Sequence, residues 1–179
     1  MIPKIRIGNK DLKNREKTLF LCSKHAPFSS YDNIFHWVET LSSEDCVMCF
    51  DSSELEEELL KALLINKIPT ILFVINKFKD NEDIQIKSAI DENRLLIVEL
   101  QRDEPRGKGQ TPRLRNEFVA NMAKEIVCGY VNPNGSIFPL LAGRKNVRYL
   151  EKEKSIMIAA ESGIKHPHWK VNEDKTLLR

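Results

Sequence analysis

Short, unbroken apolar runs recur along the chain, and between them lie longer segments whose apolar residues return at helical spacing. The runs occupy residues 18–22, 46–50, 70–75, 95–98 and 126–131. Apolarity within each is continuous rather than alternating, which predicts strands covered on both faces, as in a parallel sheet. Among the segments between, Ser29 or Ser30 is placed to cap a helix with Ile34, Trp37, Val38 and Leu41 on one face. Ser53 and Glu56 have the spacing of a capping box for a second helix, with Leu55, Leu59, Leu60, Ala62 and Leu63 turned inward. A third helix is predicted between Asn81 and Asn93, and a fourth over about 115–124 with Phe118, Val119 and Met122 inward. Gly143-Arg-Lys-Asn146 reads as a turn into a last short strand at 147–150. This alternation predicts an α/β protein: a Rossmann-like, doubly wound, mostly parallel sheet flanked by helices.

With 179 residues, 41% of them hydrophobic, the chain can bury one sizeable core, so a single Rossmann-like domain is expected over 1–179. Its core spans about 18–150, and 151–179 form a C-terminal extension that is charged, then apolar, then irregular. The net charge of +2 is too small for bulk attraction to a polyanion, so any nucleic-acid binding must come from a local patch. The first residues lack an apolar segment of signal-peptide length, and no later run approaches a membrane span. A soluble, cytoplasmic protein without membrane contact is the expectation.

Cys46 and Cys49 have C-x-x-C spacing, but they fall in a strand-like run. Positions three apart on a strand face opposite sides of the sheet, so the two thiols cannot converge on a metal. With Cys22 and Cys128 they read as buried free thiols. His25, His36, His166 and His168 are scattered; only the last two are close, and no acidic partner flanks that pair, which argues against a metal site. There is no P-loop, no G-x-G-x-x-G and no Ser-His-Asp order, so neither a catalytic residue nor a cofactor is assigned. Trp37 and Phe35 suit a helix core, and Glu54, Glu56, Glu57 and Glu58 suit a solvated helix face.

Ligands of an open parallel sheet bind outside the carboxyl ends of its strands. The residues expected there are Ser23-Lys24-His25, Asp51-Ser52-Ser53, Asn76-Lys77, the basic stretch from Arg102 to Arg115, and the turn from Asn132 to Ser136. Lys24 can meet a phosphate as a point charge while the Ser23 hydroxyl hydrogen-bonds to it, although the same residues suit an ordinary strand-end turn. The stretch 101–118 carries Arg102, Arg106, Lys108, Arg113 and Arg115 against Asp103, Glu104 and Glu117. Arg113 and Arg115 beside a helix start would set guanidinium forks next to free backbone N–H groups; a solvated loop is the alternative. Gly135 and Ser136 could present amides and a hydroxyl to an anion, or simply form a turn.

The order of these motifs resembles the DNA-processing protein A (DprA/Smf) family over residues 18–150. Cys22-Ser23-Lys24 stands where that family ends its first strand in Gly-Ser-Arg, and Phe50-Asp51-Ser52-Ser53 stands at its Ser-Gly-rich second turn. Pro112-Arg-Leu-Arg115-Asn116 resembles Phe-x-x-Arg-Asn, Asn134-Gly135-Ser136 resembles Ser-Gly-Ser, and Gly143-Arg144-Lys145-Asn146-Val147 resembles Gly-Arg-x-Val. The chain departs from the family in having Cys22 for glycine and acidic Asp51 and Glu54 on the second loop. The resemblance implies a Rossmann-like core that holds single-stranded DNA, dimerises and hands the strand to a recombinase during DNA uptake. Carried over, it makes Ser23, Lys24, Arg115, Asn116, Gly135 and Ser136 the site.

Three readings follow, one of them a structural or partner-binding domain with a degenerate site. In the first the chain is a non-enzymatic module that holds the phosphates of single-stranded DNA with Lys24, Arg113, Arg115, Lys145 and the Gly135-Ser136 turn. In the second it binds or senses a nucleotide-derived small ligand, and Asp51 contacts a ribose hydroxyl. The Pro-Gly-Gly-x-Gly-Thr signature of phosphoribohydrolases in the wider superfamily is absent, which weighs against hydrolysis.

Overall fold

The continuous apolar runs become the interior strands of one sheet, because each must bury side chains on both faces. A computed structural model describes residues 2–24, 26–75, 83–101 and 111–150 of the chain. The elements in order are β1 (Ile2–Gly8), a short 3-10 helix (Lys10–Asn14), β2 (Thr18–Leu21), α1 (Phe28–Glu39), β3 (Val47–Phe50) and α2 (Glu54–Ile65). They continue with β4 (Thr70–Val74), α3 (Ile84–Asp91), β5 (Leu95–Gln101), α4 (Thr111–Ala120), β6 (Glu125–Cys128), α5 (Ile137–Leu141) and β7 (Val147–Tyr149).

The sheet has seven strands in the order β1-β5-β4-β3-β2-β6-β7. All neighbours are parallel except β1, which runs antiparallel to β5. From β2 the chain steps outward through β3 and β4 to β5, then returns through α4 to place β6 on the other side of β2. The expected mostly parallel, doubly wound sheet is therefore present. Its direction of winding reverses between β2 and β6, and such a reversal opens a crevice at the carboxyl ends of the two strands.

The two faces of the sheet carry separate cores. On one, Phe20, Cys49, Leu72 and Ile97 pack with Ile34, Trp37 and Val38 of α1, Leu59 and Leu63 of α2, and Ala89 of α3. On the other, Leu19, Leu21, Met48, Phe50 and Ile126 pack with Val119 and Ala120 of α4, Ile137 and Leu141 of α5, and Leu12. Cys46 and Cys49 fall into opposite cores, as the strand period requires, and all four cysteines are buried and outside any disulfide.

Several boundaries differ from the pattern. α1 begins at Phe28 with Pro27 as its N-cap, ahead of both expected serines; the fixed φ of proline suits the non-helical residue at a helix entrance. α4 spans Thr111–Ala120 rather than about 115–124, with Pro112 in its first turn, where a missing N–H costs nothing. Met122 consequently lies beyond the helix and is 37% exposed rather than inward. Directly after β6, Gly129 packs against α1: a Cβ there would fall 2.7 Å from Ile34 Cδ1. The N-terminal strand β1 had no expected counterpart. It lies at the sheet edge, with Ile2 and Ile7 about half exposed, and Arg6 pairs with the buried Glu99 of β5. Gly8 closes it at φ +104°, where a Cβ would overlap the Leu95 carbonyl oxygen at 2.0 Å.

Candidate functional site

The loops after β2 and β6 are joined directly at the point where the winding reverses. The Ser23 amide donates to the Tyr130 carbonyl at 2.9 Å. The Ser23 hydroxyl accepts from the Asn132 amide at 2.8 Å, across 109 residues of sequence. A hydroxyl that accepts in this way still has its proton to donate. The turn that follows is held by its own first residue: Asn132 Oδ1 accepts from the Asn134 amide and its carbonyl from the Gly135 amide, both at 2.9 Å. Gly135 sits so close that an added Cβ would lie 3.1 Å from the Asn132 carbonyl oxygen and 3.5 Å from Ser23 Oγ. Ser136 is exposed and leads into α5 without capping it. Lys24 is exposed at the rim and, among the described residues, is paired with no carboxylate. Ser23, Lys24, Gly135 and Ser136 thus form one neighbourhood at the crevice.

Arg115 occupies a different position from that expected of a phosphate fork. It is 6% exposed, and its guanidinium carbon lies 3.9 Å from the centroid of the Phe50 ring. Nε donates to Asn116 Oδ1 at 2.9 Å, and Nη1 donates to the Ser52 hydroxyl on the loop after β3, 63 residues away. Asn116 is itself buried. Arg115 therefore ties the middle of α4 to the carboxyl end of β3, with Asn116 accepting from its Nε. Arg113, two residues earlier on α4, is exposed.

The acidic loop after β3 is built around that arginine. Ser53 caps α2 by accepting from the Glu56 amide at 3.3 Å, and the Glu56 carboxylate reaches back to the Ser52 amide at 2.9 Å. The expected capping pair is present, but Glu56 is buried rather than part of a solvated face; Glu54, Glu57 and Glu58 are exposed. Burial raises the Glu56 carboxyl above its ordinary range, while the Arg115 charge and the bonds from Ser52 and Ser53 act against that shift. Asp51, half-buried, is likewise raised, first by burial, with Arg115 opposing. Asp51 and Glu56 thus set two carboxyls around one internal guanidinium on this side of the crevice.

Lys145 stands apart from the others. It precedes β7 and lines an open cleft of about 530 Å³ with Glu16, Lys17, Asp45, Lys124 and Glu125. This is the amino-terminal edge of the parallel strands, opposite the crevice, so Lys145 does not join Ser23 and Gly135. A residue directly before a strand of a parallel sheet has to lie there, and strand order alone contained that signal. His25, Asn76, Lys77, Arg102, Arg106, Lys108, His166, His168 and the extension 151–179 lie outside the described residues. Among the described residues, no group of His, Cys, Asp and Glu is placed to hold a metal, and no helix is long and apolar enough to cross a membrane.

No known family pattern matches the sequence, and no curated protein matches it significantly. The fold does have counterparts among solved structures. It is similar to DNA processing protein A from Helicobacter pylori, with a TM-score of 0.61 at 14% identity over 91% of this chain and 80% of that one. It is also similar to DNA processing protein A from Streptococcus pneumoniae, with a TM-score of 0.63 at 17% identity over 89% of this chain and 61% of that one. The chain therefore spans less than two thirds of the streptococcal structure. At this level of identity the shared property is the fold, and it is the fold that the motif order implied.

Proposed function

We propose that the chain binds single-stranded DNA at the crevice between β2 and β6. The observation that carries this reading is the junction of Ser23 with the Asn132–Ser136 turn, which gathers a hydroxyl, a tight glycine turn and the exposed Lys24 at the reversal of the sheet. The Helicobacter pylori protein of the same fold binds single-stranded DNA, which supports the choice of ligand. In this reading Lys24 and Arg113 supply charge, and Ser23, Gly135 and Ser136 position a phosphate. Arg115 and Asn116 act from within by fixing the loop after β3 relative to α4. Lys145 has no part in the site.

Attraction to the strand is then mostly electrostatic and falls as counterions compete. The test is a titration of fluorescent oligothymidylate with the protein at several salt concentrations, read by anisotropy. Lys24→Ala should weaken binding and reduce the log–log salt slope by about 0.7, the share of one phosphate contact on a single strand. Binding with an unchanged slope would remove Lys24 from the site.

The resemblance adds a setting: a cytoplasmic homodimer that passes the strand to a recombinase in DNA uptake or recombination. A second reading is favoured by one observation, the buried carboxylate side of the crevice. A continuous strand passing Asp51 and Glu54 would meet like charge, whereas a single nucleotide could place its phosphate at Ser23 and a ribose hydroxyl at Asp51. Native mass spectrometry separates the two, because co-purified nucleotide would support the small ligand.

A further inference from the structure

Phe28 is the most exposed of the large apolar side chains among the described residues, at 88%. It opens α1 and follows Lys24 by four positions, so the loop that carries the candidate phosphate contacts ends on this ring. The ring is not loose. Its centroid lies 5.6 Å from that of Tyr31, one helical turn on, at an interplanar angle of 34°. Tyr31 is half-buried against the core and stands 6.3 Å from Phe35 in turn. An aromatic supported from behind and open to water in front is the arrangement that base stacking uses, since every base offers a π-face.

The charges around the pair favour a base over a phosphate. Burial raises the Tyr31 hydroxyl, and the neighbouring Glu58 and Glu54 carboxylates raise it further. Their negative charge repels a phosphate on the α2 side and tolerates a neutral base. Lys24 and the Ser23–Asn132 junction leave the sugar-phosphate path to the β6 side.

We propose that Phe28, backed by Tyr31, stacks on a nucleobase of the bound single strand whose adjoining phosphate sits at Ser23 and Lys24. The inference rests on the single-stranded DNA reading and adds a contact to the base that salt does not screen.

The test compares oligothymidylate with an abasic deoxyribose-phosphate oligomer of the same length, using wild type, Phe28→Ala, Phe28→Trp and Lys24→Ala. Circular dichroism confirms that each variant is folded. Wild type should prefer the thymidylate oligomer by about ten-fold, the scale of one stacked base. Phe28→Ala should abolish that preference and leave the salt slope unchanged, Phe28→Trp should keep it, and Lys24→Ala should change the slope but not the preference. A wild-type preference that survives in Phe28→Ala overturns the inference while leaving the DNA reading intact. So does a wild type that binds both oligomers equally, or a Phe28→Ala variant that loses affinity for both to the same extent. Absence of wild-type binding to either oligomer at low salt removes the DNA reading, and this inference with it.

Discussion

Replacing Arg115 with methionine keeps an apolar stem over Phe50 and removes the charge that joins α4 to the loop after β3. In the folded chain this guanidinium is 6% exposed, stacks at 3.9 Å on Phe50 and donates to Ser52 and Asn116. Its loss leaves the buried Glu56, and the half-buried Asp51, without their compensating charge. Each hydrogen bond made by a charged group contributes roughly 1.5–3 kcal/mol. Ser52 is exposed and can turn to water, and Glu56 keeps its bond from the Ser52 amide, so about 2 kcal/mol is the expected loss at neutral pH. The penalty should depend on pH. Burial already raises Glu56 and Asp51 above their ordinary values, and Arg115 opposes the rise. A carboxyl raised in the native state binds more protons folded than unfolded, so its effect is to lower stability as pH rises through the raised value. Removing Arg115 lifts both groups further. The mutational loss should therefore be smallest near about pH 3, below the unfolded values of both carboxyls, and grow towards pH 7. Urea denaturation followed by circular dichroism at both pH values measures this, and Glu56→Gln in the same background should recover part of the loss at pH 7. A loss under about 0.5 kcal/mol at pH 7, well below one such hydrogen bond, or one that does not change with pH, would refute the internal role of Arg115.

Three further outcomes follow from local geometry. Gly129→Ala forces a Cβ to within 2.7 Å of Ile34 Cδ1 and 3.1 Å of the Phe20 ring, and should cost about 1–3 kcal/mol in a thermal melt, the usual range for overpacking. Lys67 holds a left-handed φ of 58° just past the end of α2, so Lys67→Gly should stabilise the chain by about 1 kcal/mol in urea titration. The Glu92 carboxyl is lowered to about 2, first by its hydrogen bond from Arg94 and then by that from Ser88. A lowered carboxyl stabilises above its unfolded value, so the advantage of wild type over Glu92→Gln should be complete above about pH 5 and lost as pH falls towards 2, read from acid-unfolding curves.

The interior strands were legible because two-sided burial leaves continuous apolar runs, and the helices because Ile34, Trp37, Leu59 and Leu63 repeat on one face. Strand β1 was not, since an edge strand needs apolar residues on neither face throughout: Ile2 and Ile7 remain half exposed and the strand is tied by Arg6 to Glu99. The charge that faces the buried Glu56 comes from an arginine on a distant helix, which no local pattern encodes. Phe28 illustrates the converse, because exposure of an apolar residue leaves no trace in periodicity. The position of Lys145 at the amino-terminal edge was within reach of the sequence, because it lies just before a strand of the parallel sheet.

The claim that the ligand sits where β2 and β6 diverge is tested most directly by amide hydrogen exchange with and without saturating oligothymidylate. The account predicts slowed exchange at residues 23–24 and 132–136, with no change around Lys145. Protection confined to the opposite edge, at 124–125 and 145–147, would contradict it.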